Sequence, residues 1–469
     1  MAGRSYPDLE LISLWFSRSK SLPLSFTVTQ RSESSQTQEK TLQVLNLLTE
    51  QIPRWRDARL YLAGAEPRKI LSIVNAHALL LEHFEMKTFQ QNVPDGEFLY
   101  RVFEHPVPKL TKLAISAIPH ADFWRDPAAG HIPWHQLTSL TIDFVTVPSA
   151  VGVLRDCHIL QNCILGLQSS THSAGLLAST SPLIHGTLEV LELEAERDDL
   201  TLFLDYTLIP ALDVLTIHGK GSGNTEYWPQ AHLEDHLERS GARPRVLSIR
   251  TGWLHGPDSH LFFQHQGIQL ELEAERDDLT LFLDYTLIPA LDVLTIHGKG
   301  SGNTEYWPQA HLEDHLERSG SRPRVLSIRT GWLHEPDSHL FFQHQGIQDL
   351  VELKILDELD WSHSNSSWFT HAVLESLTPG RCENVSLPKL EILEFRGYLV
   401  GIRASDILRF VESRWRCGGG GGESLGTSRL KATCLMDSSR MFFKCTEEER
   451  RICLQLRREG MDLVLTSEE

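Results

Sequence analysis

No stretch of this chain stays apolar over the roughly 18–20 residues that a helix needs to cross a bilayer, which excludes a helical membrane-spanning protein. Met1 to Phe16 lacks the basic start and apolar run of a secretory signal. The seven cysteines are odd in number and contain no C-x-x-C pair, which argues against a disulfide framework or a structural zinc site. A reducing cytoplasmic or nuclear setting is therefore expected, in which the acceptor-type triplets at Asn365 and Asn384 carry no glycan. Basic residues are also scarce, 44 Lys and Arg against 62 Asp and Glu, for a net charge of −18. Phosphate backbones are held by basic clusters, so nucleic acid is not an expected partner, and neither is a membrane.

What the chain does have is a passage written twice. Residues 191–269 and 270–348 agree at 77 of 79 positions, differing only at Ala242 against Ser321 and Gly256 against Glu335. The first copy holds 12 acidic and 6 basic residues and the second gains Glu335, so the two copies together carry −13 of the −18. A closed core seldom absorbs 79 extra residues. An array whose units touch only their neighbours does so by lengthening.

A shorter phrase, apolar-x-x-apolar-x-apolar, recurs inside and outside the copies. It reads Leu188, Leu191, Leu193, then Leu212, Leu215, Ile217, and again at Leu247 and Ile249. Apolar residues at i and i+2 mark a short strand with one buried face. With the middle residue as anchor, the phrase runs through Ala58, Phe84, Leu113, Leu140, Cys163, Leu191, Leu215, Leu247, Leu270, Leu294, Leu326, Leu353, Leu393 and Thr433, of which Ala58 and Thr433 are the weakest. Most intervals fall between 23 and 32 residues, with 40 for the last two, near the length of a leucine-rich repeat. The expected fold is α/β, a leucine-rich-repeat solenoid with a curved parallel sheet and helical or irregular returns. Each copy is three whole coils, so Leu270 should drop into the place of Leu191 with strand register intact.

Four regions follow from this pattern. Residues 1–52 form a helical lead-in with a polar, loop-like linker at 30–41, and residues 53–416 form the array, with its copies at 191–269 and 270–348. Residues 417–428 are a glycine-rich linker, and 429–469 form a capping repeat. Gly223 and Asn224 lead into a helix-like stretch from Glu226 to Arg239 that Gly241 closes. Thr446-Glu447-Glu448-Glu449 has capping-box form, Gly460 ends the helix it opens, and a strand-like MDLVL follows.

The chain resembles the large fungal family of F-box proteins that carry divergent leucine-rich repeats. Trp15 with SRSKSLPLSF (17–26), PRWRDARLYL (53–62), LRDCHILQNCILGL (154–167), LPKLEILEFRG (387–397), ILRFVESRW (407–415) and LRREGMDLVL (456–465) carry the resemblance, which covers nearly the whole chain. In that family a helical F-box precedes the SRSKSLPLSF-like segment and docks onto the adaptor subunit of a cullin–RING ubiquitin ligase. Met1 to Leu24 shows no helical start with the leucine-proline signature of that module. The resemblance therefore implies the substrate-recognition half, a non-catalytic scaffold for a protein partner. The adaptor itself is a partner only if a cryptic F-box exists.

Period-2 geometry puts the residues between the buried leucines on the open face of the sheet. The candidate binding residues are Glu192, Glu194, His218 and Arg250 in the first copy and Glu271, Glu273, His297 and Arg329 in the second, with Thr216 and Ser248 between them. Arg250 should pair with Glu271 and Glu273 across the copy junction. A polar ladder for an extended or helical protein segment is the functional reading, and an ordinary solvated sheet face is the plain one.

Enzyme-like signals are thin, so neither catalytic residues nor a cofactor or metal is expected. His232 and His236 in HLEDH, and His311 and His315 in the second copy, have metal-ligand spacing but no third ligand, and read better as a solvated helix face. Gly219, Gly221 and Gly223 lack the Lys-Ser/Thr of a phosphate loop. Trp253, Trp332, Phe262, Phe263, Phe341 and Phe342 read as core of the returns. The alternatives to an F-box-type recognition scaffold are a free-standing leucine-rich-repeat interaction protein and, third, a metal- or nucleotide-dependent hydrolase.

Overall fold

The structure, a computed structural model, describes residues 8–30, 35–62, 78–88, 105–116, 132–169, 181–220, 229–250, 268–274, 276–285, 288, 291–298, 307–330, 338–357, 369–379, 385–397, 399, 402–416, 427–437 and 446–467. The chain divides into two compact units, Met1–Lys220 with Ala231–Arg243, and Gly221–Gln230 with Pro244–Glu469. The division falls inside the first copy of the duplicated passage. Sixteen parallel strands, eight in each unit, carry an α/β fold.

In the first unit the strands are β1 (Leu24–Thr29), β2 (Trp55–Leu62), β3 (His83–Thr88), β4 (Lys112–Ser116), β5 (Ser139–Val145), β6 (Asn162–Leu167), β8 (Val190–Ala195) and β10 (Val214–Gly219). Each pairs in parallel with the next in that order. A separate short pair, β7 (Leu183–Ile184) and β9 (Thr207–Leu208), lies among the returns. The second unit holds β11 (Val246–Arg250), β12 (Ile268–Ala274), β13 (Leu291–Gly298), β14 (Val325–Thr330), β15 (Glu352–Asp357), β16 (Ile392–Gly397), β17 (Ala432–Asp437) and β18 (Asp462–Ser467). These too pair in parallel and in chain order.

The anchors fall into two unbroken rows. Ala58, Phe84, Leu113, Leu140, Cys163, Leu191 and Leu215 are successive ladder partners, with Phe26 ahead of them. Leu247, Leu270, Leu294, Leu326, Leu353, Leu393 and Thr433 follow the same rule in the second unit and end on Leu463. Every anchor is buried, including the two weakest, Ala58 and Thr433. Full burial of each leucine-sized side chain contributes about 1.5–3 kcal/mol, so the rows are the spine of each unit. Leu270 meets Leu247 without a slip, so strand register survives the copy junction.

Parallel strands need long crossovers, and here the returns contain helices whose apolar residues recur at i, i+3 and i+4. Helix Arg197–Tyr206 buries Leu200, Phe203 and Leu204 and has Asp198 and Asp199 in its first turn, where the helix dipole favours negative charge. In the second copy Leu279, Phe282 and Leu283 are buried in the same way. Helices Gln230–Ser240 and Gln309–Ser319 each end on a glycine in the left-handed region, Gly241 at φ 63° and Gly320 at φ 65°. Helix Glu447–Arg458 opens with the expected capping box between Thr446 and Glu449. In the second unit Arg414 is fully buried, its guanidinium donating to the carbonyls of Leu377 at 2.9 Å and Ser386 at 2.7 Å.

One of the two differences between the copies lies in this packing. Ala242 and Ser321 are both buried, and the extra hydroxyl of Ser321 donates to the carbonyl of Ile288. An unsatisfied buried hydroxyl would cost about 1–3 kcal/mol, and this bond removes that cost. Gly256 and Glu335 lie outside the described residues.

Three expectations need correction. The lead-in is not only helical, because β1 lies within it and extends the anchor row by one strand. The linker at 30–41 is largely the start of helix Ser35–Thr49, which Thr37 and Thr41 enter as buried residues ahead of Leu45 and Leu48. A polar run thus became helical because the apolar half of the helix lies downstream. The third correction concerns histidine. His236 and His315 are buried, not on a solvated face, and their Nδ1 atoms lie 3.0 and 3.2 Å from the carbonyls of Leu204 and Leu283. The helix at Glu226 to Arg239 is described from Gln230 onward. Phe341 and Phe342 are buried, as expected of core residues. Residues 417–426 of the glycine-rich linker, Gly221, Gly223, Asn224, Trp253, Trp332, Phe262 and Phe263 lie outside the described residues.

Candidate binding face

Between the buried rows of each unit lie the side chains of the opposite face. In the second unit Ser248, Glu271, Thr295 and Ser327 are ladder partners, and so are Arg250, Glu273, His297 and Arg329. Arg250 reaches both acids of the next strand, with Nη2 at 3.0 Å from Glu271 Oε1 and Nε at 3.2 Å from Glu273 Oε2. Glu271 in turn lies 3.5 Å from His297 Nε2. The expected junction pair is therefore present, and it is a four-residue network. Burial holds the His297 pKa below the ordinary imidazole range, against the raising effect of Glu271 and Glu273. Arg329 is exposed and has Leu356 as its partner on β15. Ser248, short between longer neighbours, is buried and not on the solvated surface.

The first unit shows the same acids with different neighbours. Glu192 lies 3.2 Å from His218 Nε2, and Glu194 lies 3.4 Å from Lys220 Nζ. On the other side their partners on β6 are Ile164 and Gly166, whereas the second copy's acids have Ser248 and Arg250 of the first copy as partners. The side chains of Glu192 and Glu194 are 38% and 52% exposed, against 23% for both Glu271 and Glu273.

Two further features of the first unit escaped the sequence pattern. The first is a polar cluster on β2 and β3. Arg59 binds both carboxylate oxygens of Asp57 at 3.1 Å, and His83 Nδ1 lies 3.4 Å from Asp57 Oδ1. Burial pushes the Asp57 carboxyl up, but Arg59 and His83 outweigh it and hold the group below the usual range. Burial and a hydrogen bond to Glu85 raise the Tyr61 phenol, while Lys87 lies 3.3 Å from Glu85 and 5.8 Å from the Tyr61 ring centroid. Alternation in WRDARLYL and HFEMKT was the signal that could have found this cluster.

The second feature is a bulge. β5 slips register between Ile142 and Val145, and Phe144 adopts φ 61°, a strained conformation for a bulky residue. Such backbone strain costs on the order of 1–3 kcal/mol. Phe144 is 39% exposed, and Ile164 on the next strand is 37% exposed. Gly166 makes the bulge possible: a Cβ there would lie 3.2 Å from Asp143 Cα and 3.4 Å from the Phe144 nitrogen.

Among the described residues no group of three or more His, Cys, Asp or Glu could hold a metal ion. His232 pairs with Asp205 at 3.0 Å, while its supposed co-ligand His236 is turned into the core. Burial pushes the Cys157 thiol up to about 12 and the Cys163 thiol well above its ordinary value, so neither is a thiolate near neutral pH. Among the described residues no helix is long and apolar enough to cross a membrane. Models of known protein families give no match to this chain, and a search of curated proteins gives no significant one.

Proposed function

We propose that the chain is a leucine-rich-repeat solenoid that acts as a non-catalytic protein-recognition scaffold, resembling the substrate-binding part of an F-box-type ubiquitin-ligase adaptor. The observation that carries this reading is the pair of anchor rows. Seven parallel pairings in each unit with no loss of anchor register are what stacked coils require, and they leave one sheet face per unit for the side chains between the anchors. Such a face presents side chains on a rigid grid with strands about 4.8 Å apart, which suits an extended or helical protein segment. The link to the ligase rests on the phrases shared with the F-box family. The setting we assign is the cytoplasm or nucleus.

The test is purification of the tagged full chain from native extract. A protein partner recovered in stoichiometric amount supports recognition. If that partner is the F-box-binding adaptor of cullin–RING ligases, the ligase version holds. Any other stoichiometric partner leaves a free-standing array. A folded chain recovered alone overturns the recognition reading.

A further inference from the structure

The two acid pairs are identical in sequence, yet only one of them faces an apolar neighbour. The second copy's acids, Glu271 and Glu273, are both taken up by Arg250, which ends the first copy's last strand. In the first copy the strand beside Glu192 and Glu194 offers Ile164 and Gly166 in register, and the bulge of β5 brings Phe144 out next to Gly166. Phe144 and Lys220 connect the parts, because Lys220 Nζ lies 5.5 Å from the Phe144 ring centroid and 3.4 Å from Glu194 Oε1. On the open face of the first unit Ile164 thus lies beside Glu192, Gly166 beside Glu194, Asp143 and Phe144, and Lys220 joins Glu194 to the Phe144 ring, so that two exposed apolar side chains share this surface with three acids and one lysine.

Single exposed apolar residues are ordinary. This patch differs in that Phe144 is held there in a strained backbone conformation, with a glycine on the next strand leaving the room it needs. An aromatic and an aliphatic side chain inside an acidic rim match a partner that brings an apolar group flanked by positive charge. Among the described residues the second copy has no such combination: Glu271 and Glu273 share Arg250 and are 23% exposed, whereas Glu192 and Glu194, beside His218 and Lys220, keep 38% and 52% of their side chains exposed.

We infer that the Phe144–Ile164 patch with Glu192 and Glu194 is the docking site for a basic peptide segment carrying an apolar anchor residue, and that the second copy does not repeat the site. The inference rests on the recognition reading above and narrows it to one surface and one partner chemistry. Duplication then lengthens the chain without doubling its valency.

The experiment is selection of a twelve-residue degenerate peptide library on the purified full chain, followed by titration of the selected peptides. The expected consensus has an apolar residue between Lys or Arg residues, binds one per chain, and weakens as salt rises. The double variant Glu192→Lys with Glu194→Lys should lower affinity at least about tenfold, and so should Phe144→Ser. Ile164→Ser serves if Phe144→Ser fails to fold, as judged by circular dichroism. Glu271→Gln with Glu273→Gln should change affinity less than about twofold. A consensus that is acidic, or one insensitive to the Glu192, Glu194 and Ile164 substitutions, overturns the inference while protein recognition stands. No enriched peptide class at all counts against both.

Discussion

The two copies of the 79-residue passage form a natural experiment in which the side chains are held constant and the neighbours change. Inside they pack alike apart from Ala242 against Ser321: Leu200, Phe203 and Leu204 are buried in one copy, and Leu279, Phe282 and Leu283 in the other. On the open face they diverge. Glu192 and Glu194 look across to Ile164 and Gly166, whereas Glu271 and Glu273 look across to Ser248 and Arg250. The contrast teaches that packing is written within a coil, while the chemistry of the surface is written between coils. A duplicated coil therefore inherits its stability whole and its binding properties only in part.

The comparison breaks most severely in the core. Phe203→Ala and Phe282→Ala should each cost about 3–5 kcal/mol, equal within about 1 kcal/mol, by chemical denaturation. A large inequality would mean that the coils do not pack alike. Asp199 gives a pH-dependent test. Burial and the nearby Glu196 and Asp198 raise its pKa from 3.8 to about 6. The folded state therefore holds this proton more tightly than the unfolded one, and the resulting stability is lost as pH rises from 3.8 towards 6. Asp199→Asn should stabilise the chain at pH 7, on the order of 2 kcal/mol, and flatten the melting temperature across that window.

Smaller effects come from the left-handed glycines and then from the face. Gly241→Ala and Gly320→Ala should each cost about 1 kcal/mol, again equally, because the two φ values nearly coincide. Arg250→Ala should cost about 1 kcal/mol by leaving two half-buried acids without their cation. If Arg250→Ala has no measurable cost, the face is not set by neighbours and the contrast fails.

Much of the fold could be read in advance because buried strands leave a period of two, and a run of leucines repeats that signal at coil length. Even Ala58 and Thr433, poor in hydrophobicity, were placed by spacing alone, and the ladder puts them in the row. The junction pair of Arg250 with Glu271 and Glu273 was legible for the same reason, since register fixes which side chains are neighbours. What escaped depends on packing rather than period. Nothing in HLEDH tells that His236 turns inward to the carbonyl of Leu204. The Phe144 bulge was hidden because an extra residue in a strand leaves no periodic trace, and its enabling glycine sits on the following strand. Helix Ser35–Thr49 begins in a polar run that composition alone marks as loop.

The unbroken pairing of Leu247 with Leu270 has a consequence for inheritance. Two long, nearly identical tracts invite unequal exchange between gene copies, and each exchange here would add or remove three strands with every ladder partner still in place. Selection acting through foldability would scarcely see the event. Lineages could then differ in the length of this chain by multiples of 79 residues, each extra block arriving with its own arginine to quiet the acids of the next.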